Sequence, residues 1–515
     1  MYQTGLLLLT GPIRLVNELI TDYLKHAAKN VGRRLYIKLE PEFNKPFSKS
    51  NASDLLRLSK VIPFVYNNAS ILCKNLEVRI LLTSVNLSSK NSALKSYFDV
   101  ILTNSNDDNS ISQYINNQFD HECKNIIKFD PIQTSLLNVE VLEPGLKTYN
   151  VVCLGGTFDR LHNGHKVLLT EAALRARQKL IVGVTDGQML RKKVLWDLIQ
   201  PIEKRIDDVT TFLQDIDPSL SYEVVPIIDP YGPTIVDPDI NCIVVSEETK
   251  FGGERVNIER RKKGMKELAL HTVDLVENLH KNPGEDDKLS SSSTRMQSLG
   301  TLLKTSQVKF DGNEPYCILL QGLPMCGKSC IANSFQTHGV LTECCNEMMC
   351  SIIAQKKDLQ EQIIRKLNCD HIISNGAIDY KHLLKTCLTD PEKRNFMCSV
   401  LLDEVNSAFE KRMEKYKESG TKLVIVKDST LLSRKFRNGF HEIWTAIIPP
   451  AEVSKRLKQH YALTDEDADK VIDSMPSNTE LIQESNVIFC TQWSPTVTKQ
   501  QVERAWTHLR ETLRL

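Results

Sequence analysis

The sequence predicts an α/β protein made of three successive α/β units. Three observations carry this. The chain has 515 residues, which at roughly 150 per domain is room for about three cores. Short apolar runs alternate with segments of helical period along its length, the pattern of strands connected by helices. Two strand-to-helix junctions, around Gly155-Gly156 and between Gly322 and Gly327, are rich in glycine, as turns that approach a phosphate must be. The expected boundaries are 1–145, 146–304 and 305–515.

Each element follows from its own pattern. In the N-terminal unit, residues 6–10, 35–39, 76–83 and 98–102 read as strands, and Leu15, Leu19, Tyr23 and Ala27 fall on one helical face. The Ser/Asn-rich stretches 84–92 and 104–117 read as loops. In the second unit, strands are expected at 151–154, 180–184, 222–228 and 240–245, with a helix from about Gly164. Such alternation implies a parallel, doubly wound sheet, whose ligands lie at the carboxyl ends of the strands. Residues 281–288 read as a loop and 305–315 as the interdomain linker. The third unit has strands at 316–320, 422–426, 443–448 and 487–489, and closes with Val502, Trp506, Leu509 and Leu513 on one helical face.

Composition narrows the classes of function. Lys and Arg number 65 against 64 Asp and Glu, a net charge of +1, so no basic surface for nucleic acid is expected. No apolar run approaches the ~18 residues that cross a bilayer. The 14 cysteines lack paired metal-ligand spacing and read as reduced thiols, which suits a cytoplasmic protein; mitochondrial association is left open.

The first chemical motif is Gly155-Gly156-Thr157-Phe158-Asp159-Arg160-Leu161-His162-Asn163-Gly164-His165. Two imidazoles at the start of a helix add donors to a terminus that already attracts phosphate, and the glycines let backbone come close. This suits in-line attack on an α-phosphate with pyrophosphate leaving, where catalysis is positioning and charge stabilisation. An isolated His pair on a helix is ordinarily structural; here the whole string matches the T/GxFDxxHxGH signature of the nucleotidyltransferase superfamily, with its Rossmann-like fold.

Downstream, Ser246-Glu247-Glu248-Thr249 with Gly252-Gly253, Asn257 and Arg260, then Asp229-Pro230-Tyr231-Gly232-Pro233, and Ser290 to Arg295, resemble the phosphopantetheine adenylyltransferase of eukaryotic bifunctional coenzyme A synthase. The resemblance covers about residues 150 to 303. It implies that His162 and His165 stabilise the transferring phosphate, that Thr157 positions the nucleophile, and that Lys193 clamps the migrating phosphate. It also implies that Gly155, Gly156, Phe158, Gly164, Arg205, Arg260, Ser291, Ser292, Ser293, Thr294 and Arg295 line the ATP and substrate site. By composition alone, the run holding Lys193 is a solvated face, four serines are a linker, and Arg205 near Glu203 and Asp207 is a surface ion pair.

The second motif, Gly322-Leu323-Pro324-Met325-Cys326-Gly327-Lys328-Ser329, follows a strand and precedes an apolar helix, the P-loop pattern. Gly322, Gly327, Lys328 and Ser329 are its expected nucleotide-binding residues, with Ser329 on the Mg2+ that accompanies ATP. This unit resembles the dephospho-CoA kinase half of the same synthase, at His441 to Ala446 and Gln501 to Leu509 above all. The middle departs from that family. Its Asp-x-Asp pair aligns with Cys344-Cys345-Asn346, a later acid with Lys427 (Asp428 is one step on), and a Glu with Ser433. Family arginines align with Tyr380, His460 and Val471. Loss of a general base and of charge stabilisation costs roughly 10²-fold or more each, so the unit is expected to bind ATP with little or no kinase turnover.

The resemblance thus implies adenylyl transfer from ATP to 4'-phosphopantetheine, giving dephospho-CoA and pyrophosphate. Partners are these small molecules, with no nucleic acid, and a partner-binding role is one of the readings open to the N-terminal unit. A fully bifunctional synthase, another nucleotidyltransferase acting on a choline- or nicotinamide-type phosphate, and a scaffold with a relic kinase unit are the competing readings. An aminoacyl-tRNA synthetase shares the His-x-Gly-His logic, but no KMSKS-like loop is evident.

Overall fold

The computed structural model describes residues 1–11, 13–40, 52–82, 98–118, 125–129, 145–274, 290–308, 310, 312–368, 373–374, 377–432 and 434–513. The chain divides into two compact units, Met1–Thr294 and Arg295–Leu515.

The first unit holds two parallel five-stranded sheets. One contains β1 (Tyr2–Thr10), β2 (Val31–Glu40), β3 (Glu77–Leu81), β4 (Val100–Thr103) and β5 (Ile126–Lys128), in the order β3-β2-β1-β4-β5. Its helices are α1 (Ile13–Asn30), α2 (Ala52–Leu72) and α3 (Asp108–Gln118). The other contains β6 (Tyr149–Gly156), β7 (Ala176–Thr185), β8 (Ser221–Ile227), β9 (Cys242–Ser246) and β10 (Ala269–Val273), in the order β10-β9-β6-β7-β8. Here α4 (Asn163–Arg175), α5 (Ile202–Ile216) and α6 (Lys250–Lys262) make the crossovers.

One continuous core runs through both sheets, from Leu7 and Leu35 through Val65 of α2 to Leu169 of α4 and Val182 of β7. Buried strands with apolar residues on both faces, such as Gly5-Leu6-Leu7-Leu8-Leu9 in β1, are what a parallel sheet covered by helices requires. The helix α7 (Ser291–Ser298) begins in this unit and ends in the next.

The second unit is again a parallel sheet, of β11 (Tyr316–Gly322), β12 (Leu341–Cys344), β15 (Leu423–Lys427), β16 (Glu442–Ile447) and β17 (Val487–Cys490), ordered β12-β15-β11-β16-β17. A two-residue pair, β13 (Ile373–Ser374) and β14 (Ala377–Ile378), lies outside it. The helices are α8 (Lys328–Gln336), α9 (Cys345–Gln355), α10 (Lys357–Leu367), α11 (Tyr380–Leu388), α12 (Pro391–Glu418), α13 (Pro450–Tyr461), α14 (Asp465–Asp473), α15 (Asn478–Gln483) and α16 (Pro495–Leu513). The long α12 starts where its sequence says it should. Asp390 accepts the amides of Glu392 and Lys393 at 3.0 and 3.2 Å, and Pro391 occupies the first turn, which needs no amide donor there.

Two sequence expectations change. Residues 104–117, expected as a loop, contain α3, because Ile111, Tyr114 and Ile115 keep an i, i+3, i+4 buried face among the polar residues. The strands β5, β10 and β12 escaped notice because they are short and only partly apolar. In α1, Tyr23 and Ala27 are buried and Leu19 packs half-buried on the same core, as expected, while Ile20 and Leu24 widen the face. The expected loops 84–92 and 281–288 lie outside the described residues.

Candidate functional site

The carboxyl end of β6 is the switch point of its sheet, with β7 on one side and β9 on the other, so a ligand crevice is expected above it. The chain leaves β6 through exposed Gly155 and half-buried Gly156. A Cβ on Gly156 would lie 3.0 Å from the Phe158 ring, so a side chain there would displace that aromatic. Phe158 and Arg160 then adopt left-handed backbone, φ 49° and 48°, a strained turn for non-glycine residues. Polar contacts hold it. Asp159, fully buried, accepts the Gln200 amide at 3.0 Å and pairs with Arg160, whose own amide donates to Gln200 Oε1 at 3.0 Å.

This turn delivers His162 as the N-cap of α4 and His165 one turn later. Their rings stack with centroids 3.7 Å apart and 23° between planes, and Phe158 packs against His165 at 5.2 Å. Both histidines are half-buried. Ser291, the first residue of α7, brings its hydroxyl to 3.4 Å from His165 Nε2. Thr157, half-buried, lies between the strand and this turn, and Gly164 is buried inside the first turn of α4. Lys193 is exposed, on the segment that leaves β7 at the same end of the sheet.

Two arginines play parts other than those expected. Arg205, 1 % exposed, donates to the carbonyls of Gln200 (2.8 Å), Thr157 (2.9 Å) and Thr185 (2.7 Å) and pairs with Asp186 at 3.3 Å. It therefore ties the ends of β6 and β7 together beneath the site, and is no surface ion pair. Burial pushes its guanidinium below the ordinary range, which Asp186 partly offsets. Arg260 was expected to bind ATP or substrate. Instead it is fully buried and holds the carbonyls of Lys266, Thr234 and Asp237, clamping a loop after β8 to the end of α6. The serine run divides as well: Ser290 caps α7 by accepting the Ser293 amide at 3.1 Å, Thr294 bonds back to the Ser290 carbonyl, and Ser293 is buried. Ser291 is thus the member brought to the histidines. Ser292 is half-buried beside it, and Arg295 opens the second unit as a buried residue.

Sequence reasoning missed two residues around the histidines. Asn163 Nδ2 donates to the carbonyl of Tyr66 (3.2 Å) and to Ser70 Oγ (2.8 Å) on α2, and Lys166 Nζ donates to the Val78 carbonyl in β3 at 3.0 Å. The first turn of α4 is thereby fastened to the N-terminal sheet and its helix. The signal was present: an amide and an amine at the head of an otherwise apolar helix.

In the second unit the P-loop connects β11 to α8 as expected. Gly322 (φ 147°) and Gly327 (φ 89°) admit no side chain, since a Cβ would lie 2.3 Å from the Ala446 carbonyl oxygen and 2.6 Å from Thr491 Oγ1 respectively. Lys328 Nζ donates to the carbonyls of Gly322 (2.8 Å) and Leu323 (3.1 Å), and Ser329 is exposed. Arg456 of α13, which sequence reasoning passed over, donates to Met325 O at the loop's apex (3.1 Å) and to Thr491 O (3.1 Å). Where family arginines were expected, His460 is exposed, Val471 buried and Tyr380 half-buried. Ser433 lies outside the described residues. Of the two positions of the missing acids, Cys344 is buried and Asn346 half-buried; between them Cys345 is buried, and burial pushes its thiol far up.

Residues 153–309 match a cytidylyltransferase-like family model. A phosphopantetheine adenylyltransferase of Methanothermobacter thermautotrophicus is 36% identical over 151 residues, 29% of this chain and 85% of that protein. This chain belongs to the phosphopantetheine adenylyltransferase family. Another member, from Methanopyrus kandleri, is 35% identical over 150 residues, 29% of this chain and 91% of its own length. A phosphopantetheine adenylyltransferase of Saccharomyces cerevisiae is 42% identical over 158 residues, 31% of this chain and 50% of the relative. The chain thus spans about half the length of the first curated relatives it matches. Residues 316–492 match a dephospho-CoA kinase family model. The adenylyltransferase region followed by the kinase-like region is the architecture of a bifunctional coenzyme A synthase, as the sequence resemblance implied.

Proposed function

We propose that residues 146–304 transfer the adenylyl group of ATP to 4'-phosphopantetheine. A phosphate oxygen of the acceptor attacks the α-phosphorus of ATP, the bond from that phosphorus to the α–β bridging oxygen breaks, and dephospho-CoA and pyrophosphate leave. The observation that carries this reading is the stacked pair His162 and His165 at the N-cap and first turn of α4, above the switch point of the sheet. Helix terminus and imidazole donors together stabilise charge that grows on the α-phosphate. Thr157 positions the acceptor phosphate, Lys193 bridges the reactants from its exposed loop, and Ser291 orients His165. Gly155, Gly156, Phe158 and Gly164 shape the cradle, with Ser292 beside it.

The competing acceptors, a choline- or nicotinamide-type phosphate, are disfavoured by the family to which the chain belongs. Within residues 305–515, ATP lies on Gly322, Gly327 and Lys328. Mg2+ arrives with the nucleotide: no trio of ligating side chains exists among the described residues, and the Ser329 hydroxyl is a hard oxygen donor of the kind this ion takes alongside phosphate and water. The N-terminal segment, 1–145, has a supporting role through its bonds to α4.

Substitution His165→Ala tests the reading. The expected kcat falls by about 10²-fold or more while the KM values for both substrates stay within about threefold, because the lost interaction belongs to the transition state. Turnover close to that of the unaltered protein would reject the role.

A further inference from the structure

The kinase-like sheet places a carboxylate beside the position from which acids are missing. Strand β12 ends at Cys344 and runs parallel to β15 with Cys344 opposite Lys427, so Cys345 and Asp428 are the next residues beyond two neighbouring strands. Parallel strands lie about 4.8 Å apart, so an acid moved sideways by one strand and onward by one residue stays within a side chain's reach of the same place. The Asp428 amide donates to the Leu320 carbonyl at 3.0 Å, which fixes it against β11, the strand that feeds the P-loop. Its carboxylate accepts the Ser429 amide at 2.7 Å.

Asp428 is not sealed in apolar core. At 9 % exposure it lines a cavity of about 340 Å³ together with Gly322, Leu323 and Pro324 of the P-loop and with Arg394 and Arg434. Arg394, 6 % exposed, is braced by the Leu388 and Ser474 carbonyls, and Arg434 pairs with Glu484. Lys328, Arg437 and Arg434 act on the Asp428 carboxyl and oppose the effect of burial, which raises its affinity for a proton. A proton acceptor, two guanidinium groups and a phosphate loop thus share one cavity.

We propose that Asp428 is the general base of phosphoryl transfer in this unit. It takes the proton of an acceptor hydroxyl as that oxygen bonds to the γ-phosphorus of ATP. The bond from this phosphorus to the β–γ bridging oxygen breaks, and ADP leaves. Arg394 and Arg434 hold anionic groups of the acceptor. The acceptor class rests on the dephospho-CoA kinase likeness of the unit, and the inference reverses the expectation of little or no turnover, which counted acids by sequence position alone.

The test uses the full chain with γ-labelled ATP and added dephospho-CoA, so that failure of the adenylyl step leaves the assay intact. Labelled product is expected from the unaltered protein, with kcat lowered about 10²-fold in Asp428→Asn at unchanged affinity for ATP. Asp428→Glu, which keeps the carboxylate, should run at least about tenfold faster than Asp428→Asn. No labelled product from unaltered protein that binds ATP overturns the proposal, as does Asp428→Asn turning over at the unaltered rate. If Asp428→Asn loses its fold, Asp428→Glu decides: turnover supports the proposal, and a folded, ATP-binding but inactive Asp428→Glu overturns it.

Discussion

Beneath the turn that carries the paired histidines, Arg205 joins the ends of two strands through the Thr157 and Thr185 carbonyls. A lysine carries its charge at one point and lacks the planar fork, so Arg205→Lys should leave carbonyls of Thr157 or Thr185 unsatisfied. The expected cost is about 1–3 kcal/mol in denaturant unfolding, with kcat reduced by about tenfold or more as the histidine turn shifts. Unchanged unfolding and turnover would show that the clamp is idle. Gly327 offers a second residue-scale prediction. Gly327→Ala would place a methyl against Thr491 in backbone that disfavours any side chain, so calorimetric ATP binding by the full chain should lose one site. Both P-loop glycines were legible in the sequence, since the motif specifies them. Arg205 was not, because an arginine near acids looks the same on a surface as beneath a sheet.

At the scale of the element, α4 is held from outside its own sheet. The bonds from Asn163 to Tyr66 and Ser70, and from Lys166 to Val78, make α2 and β3 the brace of the helix that carries both histidines. Asn163→Ala should therefore lower kcat by about tenfold with KM nearly unchanged, since displaced imidazoles lose transition-state contacts first. Ser70→Ala, which removes one of the two partners, should give a smaller loss in the same direction. A KM effect without a kcat effect would assign Asn163 to substrate binding instead. This brace was hidden from sequence reasoning because α2 and α4 are far apart along the chain and share no motif. Helix α3 was hidden for a different reason: its asparagines and serines mask a three-residue buried face that only packing on the sheet reveals.

For the whole molecule, the three α/β segments were readable from strand and helix alternation, whereas the continuous core joining the first two was not. Long-range packing leaves little mark on a single sequence, and apolar strands look alike whichever neighbour covers them. That core carries a pH signature. Burial, helped by Arg175 and Lys147, lowers the His271 imidazole from 6.5 to about 4, and burial lowers the Lys166 amine from 10.5 to about 8. Both groups bind a proton more readily in the unfolded chain. Stability should therefore fall as pH drops from 6.5 towards about 4, and rise as pH climbs from about 8 to 10.5. Denaturant midpoints across these windows check it, with His271→Gln flattening the acid limb and leaving the alkaline limb in place. An acid limb unchanged by that substitution would remove His271 as its cause.

The most direct test of the account follows pyrophosphate and dephospho-CoA together when the full chain is given ATP and a choice of acceptor phosphates. Equal amounts of both products with 4'-phosphopantetheine, and neither above background with nicotinamide mononucleotide or choline phosphate, is the outcome expected of the paired imidazoles in this family. Pyrophosphate released equally with every acceptor, or with none, would contradict it.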